Sequence, residues 1–172
     1  IQSNELESLP SSKELLDKLS IRKWEKDPRA LFIRGRLLYE ENKPADSELL
    51  YKESLKVGKN NHLVESELAR ALLAQGKWKE AESILRNLLL QENNDPKLLS
   101  NMSVAVLRQN RLNESLKLAK EALKFSEDQD KLSIMLNIGT ILQELGMRSE
   151  AKRIYEEVFE KDTSKTNALL NL

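Results

Sequence analysis

The segment Gly76-Lys77-Trp78-Lys79-Glu80-Ala81-Glu82 has related copies at regular intervals along the chain. The next copies begin 34 residues later, at Asn110, and a further 36 residues later, at Gly146. A fourth copy begins 34 residues upstream, at Asn42. Each copy is a short turn between two apolar patterns of helical spacing. A period near 34 residues with this content is typical of stacked two-helix units, in which each unit packs against its neighbours.

Two columns of small residues support this alignment. Helices can cross closely only where their side chains are small, so small residues mark the crossing points. Every one of the eight aligned positions holds Gly, Ala or Ser, with Gly35, Ala69, Ser103 and Gly139 in the first helices and Ser47, Ala81, Ser115 and Ala151 in the second helices. We therefore expect all eight residues to be buried between helices.

Apolar and aromatic residues at helical spacing surround the two columns. Such residues are far more often core than part of a cofactor site, because a helix must bury its apolar stripe. We assign four large side chains to packing on this basis, namely Tyr51, Trp78, Met135 and Tyr155.

The composition excludes several classes of function. The 172 residues suffice for one domain, contain no Cys and include one His, His62. Disulfides, thiolate metal sites and cysteine nucleophiles are thereby excluded, and we expect no catalytic residue, metal or cofactor. The 28 basic and 28 acidic residues cancel, which argues against a nucleic-acid partner. No apolar run approaches the ~20 residues of a transmembrane helix.

The repeats resemble the tetratricopeptide repeat through the small positions and the Gly-containing turn. The resemblance implies an all-α fold, a right-handed α-solenoid of stacked antiparallel helix pairs. The chain is predicted to consist of a polar tether at 1–10 and a single domain at 11–172. The domain is divided into a half repeat at 11–27, whole repeats at 28–61, 62–95, 96–131 and 132–165, and a partial repeat at 166–172. The sequence departs from the family at the early aromatic position and at the closing proline.

Local signals place several helix boundaries. Asp27-Pro28 and Asp95-Pro96 each combine an N-cap acid with a proline at the first helical position, so both should begin a first helix. A capping box starting at Ser11 predicts a helix from about Ser12 to Lys26. The acidic segment 126–130 lacks the Gly and terminal Glu of a calcium loop, and we interpret it as a lengthened loop between repeats.

The resemblance also implies that the first helices line a concave wall on which ligands bind. Asn101 and Asn137 occupy the same position of successive repeats, where an amide can donate to and accept from a peptide backbone. Solvent-facing asparagines are the alternative. Arginines on this wall could bind a carboxylate or phosphate, or could simply be solvated. The predicted ligand-binding residues are Phe32, Arg36, Arg70, Leu73, Asn101, Arg108 and Asn137.

These expectations favour a non-enzymatic scaffold that binds a peptide or a helix of a partner protein in the concave groove. One alternative is an anchored component of a bacterial envelope assembly, such as a pilus or secretion system. A second is an RNA-binding helical repeat, which the zero net charge disfavours. The sequence does not determine the compartment, for which the cytoplasm and the periplasm are the alternatives considered. The apolar residues Leu169, Leu170 and Leu172 predict further repeats or self-association through the terminal repeat.

Overall fold

The computed structural model describes Glu14 and residues 25–58, 61–92 and 94–161. These residues contain no strand and form eight helices, which are α1 (Pro28–Glu40), α2 (Pro44–Val57), α3 (His62–Ala74), α4 (Trp78–Leu89), α5 (Pro96–Leu107), α6 (Leu112–Phe125), α7 (Asp128–Glu144) and α8 (Arg148–Lys161). The all-α prediction is confirmed. The predicted tether, most of the half repeat and the partial repeat lie outside the described residues.

The chain divides into two compact units, with the boundary between Ala71 and Leu72 inside α3. In the first unit, α1 packs against α2. In the second unit, each helix from α4 to α8 packs against the next one along the chain, and α5 also contacts α7. Packing between successive helix pairs is the defining feature of a helical-repeat solenoid, and this is the fold class of the chain.

All eight positions of the two small-residue columns are buried, as the sequence predicts. The two glycines of the first-helix column lie directly against aromatic rings. A Cβ atom at Gly35 would lie 2.5 Å from the Tyr51 ring, and one at Gly139 would lie 2.5 Å from the Tyr155 ring. Each glycine therefore provides the space that a buried tyrosine occupies.

The size of the small residue varies inversely with the size of the residue 16 positions later. Glycine is followed at this spacing by tyrosine in the first and fourth repeats. The third repeat follows the same trend, with the larger Ser103 matched to the smaller Ala119, and in sequence the second repeat has Ala69 and Leu85 at these positions. All of these residues are buried. In the first and fourth repeats, where the glycine lies against the tyrosine ring, the combined side-chain volume is thereby limited, as close packing requires.

The turn inside each repeat is closed by a residue in the left-handed conformation. Asn42 and Asn110 have φ near 60°, and Gly76 and Gly146 have φ of 75° and 76°. The backbone N–H that follows bonds a carbonyl five residues earlier, for example from Met147 to Leu142 at 2.9 Å. This arrangement is the Schellman motif, which explains why glycine or asparagine recurs at this point of the period.

Gly146 offers a test of this conformational requirement that is free of steric effects. No atom lies within 4 Å of a Cβ built at this residue, but its φ of 76° disfavours any ordinary side chain. Gly146→Ala should therefore lower the free energy of unfolding by about 1 kcal/mol. Urea denaturation provides the measurement, with Gly146→Asn expected to lose less. Equal stability of Gly146→Ala and wild type would contradict the assignment.

The predicted N-caps are present at α1 and α5. Asp27 accepts hydrogen bonds from the backbone N–H of Arg29 at 2.8 Å and of Ala30 at 3.2 Å. Asp95 accepts one from Leu98 at 2.8 Å. Both helices also begin with proline, as expected from the sequence.

The interpretation of segment 126–130 as a lengthened loop is wrong. Only Ser126 and Glu127 separate α6 from α7, which begins at Asp128, four residues before the predicted repeat start at Leu132. The longer 36-residue step therefore extends α7 to 17 residues. Acids in the first turn favour this extension because they interact with the positive end of the helix dipole, and Asp128 also pairs with Lys131 at 2.8 Å.

Candidate functional site

In the second unit, the contacting first helices α5 and α7 present a partly exposed surface, which we call the α5–α7 face. It includes Asn101 and Asn137, which the sequence places at the same position of successive repeats. None of its residues is buried, and they are Ser100, Asn101, Val104 and Leu107 from α5 and Leu136, Asn137, Thr140 and Gln143 from α7. The face therefore combines aliphatic groups with amides and hydroxyls.

The two asparagines of this face differ in their bonding. The Asn137 side chain donates from Nδ2 to Ser100 Oγ at 3.1 Å, a hydrogen bond between α7 and α5. The backbone carbonyl of Ser100 accepts a hydrogen bond from Ser103 Oγ at 2.7 Å. Asn101 has no side-chain hydrogen bond within the described residues. Asn137 is thus oriented by the fold, whereas both ends of the Asn101 amide are available to a ligand.

Other polar groups near this face already have partners. Thr140 Oγ1 donates to the Leu136 carbonyl at 3.0 Å. The Tyr155 hydroxyl reaches Gln143 Oε1 at 3.2 Å and Thr140 Oγ1 at 3.4 Å. These bonds anchor the tyrosine that fills the space beside Gly139. The asparagine amides consequently provide most of the remaining hydrogen-bonding capacity of the face.

Two of the predicted arginine ligands lie in the first unit. Arg70 donates two hydrogen bonds to the Glu67 carboxylate, at 3.0 and 2.8 Å, and its guanidinium carbon lies 4.9 Å from the centre of the Tyr39 ring. Its charge is therefore largely compensated. Arg36 is 54% exposed and lies 4.0 Å from Glu40, at the limit of an ion pair. Arg36 is the more available of the two cations.

The other predicted ligands have varied surroundings. Phe32 is half-buried in the first unit, with its ring centre 6.0 Å from that of Tyr51. Leu73 is half-buried near the end of α3. Arg108 follows the last residue of α5, and its guanidinium carbon lies 6.0 Å from the centre of the Trp78 ring. Within the described residues, the Arg108 side chain forms no hydrogen bond with Asn101 or Asn137.

Three of the four large side chains assigned to packing are fully buried, and the fourth, Trp78, is partly buried. Tyr51, Tyr155 and Met135 are buried. Trp78 is half-buried at the first position of α4, with its ring against Gly76 of the preceding turn. Its place at the helix end accounts for the smaller burial.

In the described part of the first unit, the hydroxyl groups of Ser47 and Tyr51 are buried and have no polar partner other than each other. Burial raises the pKa of the Tyr51 hydroxyl to about 12, with the Glu67 carboxylate acting in the same direction. The phenol is therefore protonated at any physiological pH. Its counterpart Tyr155 is bonded, so this feature distinguishes the first repeat from the fourth.

Glu82 is the centre of an ionic network in the second unit. Both of its oxygens accept from Arg111, at 2.8 and 2.9 Å, and it also accepts from Arg86 and Gln109 at 2.6 Å each. Burial raises the pKa of the carboxyl group, but these bonds outweigh that effect and lower the pKa to about 2. Arg111 also pairs with Glu114 at 2.7 Å. The network ties α4 to the turn before α6.

Metal-binding clusters and membrane-spanning helices are absent from the part of the chain that the structure describes. No group of three or more His, Cys, Asp or Glu side chains in the described ranges is placed to hold a metal ion. His62 lies at the start of α3. Among the helices that the structure describes, none has the length and apolar character needed to span a bilayer.

Comparison with known families agrees with the repeat pattern. Models of the tetratricopeptide repeat match residues 38–102, 97–128 and 134–162. Together these matches extend over most of the described chain. No curated protein sequence matches the chain.

Solved structures of similar fold include proteins from several sources. MamA from Desulfovibrio magneticus RS-1 has a TM-score of 0.74 at 18% identity, over 90% of this chain and 88% of that one. TTC0263, a TPR protein of Thermus thermophilus, has a TM-score of 0.71 at 18% identity, over 79% and 75%. YrrB, described as a TPR protein with an unusual peptide-binding site, has a TM-score of 0.64 at 15% identity, over 94% and 81%. At these identities the similarity establishes the fold.

Proposed function

Because the chain belongs to the tetratricopeptide-repeat family, we propose that its α5–α7 face binds an extended peptide segment of a partner protein without catalysing a reaction on it. The family supports a protein–protein interaction scaffold in general. The finer proposal depends on one observation, the pairing on a single face of a free amide, Asn101, with an oriented amide, Asn137.

The two amides suit the backbone of an extended peptide. A peptide in this conformation displays N–H and C=O groups along its length, and an asparagine amide can satisfy one of each. The hydrogen bond that Asn137 donates to Ser100 Oγ orients the Asn137 side chain before binding, so little side-chain entropy is lost at that position. Asn101 retains its full bonding capacity for the ligand.

Aliphatic groups beside the amides supply the second part of the interaction. Val104, Leu107 and Leu136 are partly exposed on the same face. Apolar side chains of the bound segment would remove this surface from water, at roughly 25 cal/mol per Å². Affinity would then come from apolar contact and orientation from the amides, which is how peptide grooves commonly divide these roles.

The first unit contains a separate candidate surface. Phe32 of α1 would contact an apolar side chain of a ligand, and Arg36 an acidic one. Arg70 is oriented by its ion pair with Glu67. Leu73 and Arg108 complete the proposed ligand-binding set in the second unit. The peptide-binding site described for YrrB supports peptide binding by a protein of this fold, although its details belong to that protein.

Peptides selected from a random displayed library on the wild-type chain provide the ligand for a test. The double variant Asn101→Ala, Asn137→Ala should bind the selected peptides at least tenfold more weakly, because two hydrogen bonds at about 1 kcal/mol each are lost. Fluorescence polarisation with labelled peptides measures the affinity.

Asn113→Ala is the matched control, since Asn113 is an exposed asparagine of α6 outside the face. It should bind as wild type does. Thermal denaturation should show little change in either protein. Unchanged affinity of the double variant would overturn the assignment of the face, and unfolding of that variant would show that the amides are structural.

A further inference from the structure

A concave surface distinct from the α5–α7 face lies in the second unit, where the turn before α4 meets the end of α5. It encloses about 540 Å³, and we call it the Trp78 pocket. The residues that give it its character are Gly76, Trp78, Lys79, Glu80 and Arg108. None of them belongs to the α5–α7 face.

The indole ring of Trp78 contacts its surroundings and remains partly exposed. One part of the ring lies against the turn, since a Cβ at Gly76 would be 3.4 Å from it. The Arg108 guanidinium carbon lies 6.0 Å from the ring centre, within the range of a cation–π interaction. A large amphipathic ring that is ordered and partly open to solvent is a frequent anchor of protein interfaces.

Two of the cations that line the pocket, Lys79 and Arg108, form no ion pair within the described part of the chain. The neighbouring Arg86 and Arg111, by contrast, are both bound to Glu82. Glu80 is the one acid among the lining residues, so the pocket has a local excess of positive charge on a chain whose net charge is zero.

We infer that the Trp78 pocket binds an acidic linear segment of a partner protein, with an apolar side chain against the Trp78 ring and carboxylates beside Lys79 and Arg108. Arginine can stack on an aromatic ring and bond a carboxylate at the same time, because its N–H groups lie in the plane of the guanidinium. Carboxylate binding therefore does not require the Arg108–Trp78 contact to break. Charge complementarity selects an acidic segment over a neutral or basic one.

A nucleic acid fits this pocket less well. Binding to single strands relies on several aromatic faces for base stacking and on a groove of cations that follows the backbone. The pocket offers one aromatic ring, which the turn and Arg108 already contact. The site is thus suited to a short acidic motif.

The probe for this inference is a fluorescein-labelled hexapeptide that contains five glutamates and a phenylalanine at its third position. We expect saturable binding to wild type, weakening as salt is raised because the attraction is electrostatic. The double variant Lys79→Gln, Arg108→Gln should bind at least tenfold more weakly. Trp78→Leu should also weaken binding, and circular dichroism would show whether each variant is folded.

A charge-matched control is available elsewhere in the second unit. Lys120 and Arg153 line a different groove of about 490 Å³, whose other charged lining residues are glutamates. Lys120→Gln, Arg153→Gln removes the same two cation types and should leave binding unchanged. The Asn101→Ala, Asn137→Ala variant should also bind the acidic peptide as wild type does. The experiment therefore distinguishes a wrong assignment of the α5–α7 face from a wrong assignment of the Trp78 pocket.

Three results would overturn the inference. The first is no saturable binding of the acidic peptide to wild type. The second is equal affinity of wild type and the Lys79→Gln, Arg108→Gln variant. The third is tighter binding of a six-nucleotide oligothymidylate than of the peptide, which would assign the pocket to nucleic acid.

Discussion

Gly139→Leu is expected to lower the free energy of unfolding by about 3 kcal/mol, the upper part of the usual range for overpacking a core. Even the first atom of the new side chain would lie 2.5 Å from the Tyr155 ring. That ring cannot move aside easily, because it is buried and its hydroxyl is bonded to Thr140 and Gln143. Urea denaturation of variant and wild type measures the loss.

A compensating pair tests the physical reason for this loss. The second repeat places alanine and leucine, at Ala69 and Leu85, where the fourth repeat has Gly139 and Tyr155. Gly139→Ala alone should be destabilising, and adding Tyr155→Leu should recover part of the loss by removing the clash. A double-mutant cycle should then give a favourable coupling of about 1 kcal/mol or more. Strictly additive effects would show that the two positions do not share a volume limit.

Arg111→Ala should lower the free energy of unfolding at neutral pH, because it removes two hydrogen bonds from a carboxylate that is 12% exposed. Arg86 and Gln109 continue to bond Glu82, which limits the loss. Lys131→Ala removes an exposed ion pair with Asp128 and is the matched control. It should change stability little, since exposed pairs contribute little.

The same network predicts how stability depends on pH. The pKa of Glu82 in the folded chain is about 2, below its ordinary value of 4.5. The ionised carboxylate therefore stabilises the fold fully above about pH 4.5, and this contribution is lost as the pH falls toward 2. Glu82→Gln should show a shallower loss of stability in this range. Acid denaturation curves that coincide for variant and wild type would contradict the role given to Glu82.

The fold was largely predictable because its determinants are local and repeated. Gly35 and Gly139, like the other small residues of their column, recur at a fixed spacing and are buried as expected. Asn42 and Gly146 mark turns that require a left-handed residue. The start of α7 was not predictable from the repeat length alone, because two inserted residues can lengthen either a loop or a helix.

The candidate site was predictable in position and much less so in bonding. The common position of Asn101 and Asn137 follows from the period, but the bond from Asn137 to Ser100 joins residues of different repeats. The network around Glu82 and the partial exposure of Trp78 likewise depend on contacts between residues at the ends of different helices. Sequence spacing within one helix contains no information on such contacts.

A crystal structure of the chain with a library-selected peptide would test the central claim most directly. We expect density for the peptide along the α5–α7 face, with the Asn101 amide bonded to its main chain and apolar side chains against Val104 and Leu107. A peptide bound elsewhere, with the Asn101 side chain facing solvent, would contradict the proposed function.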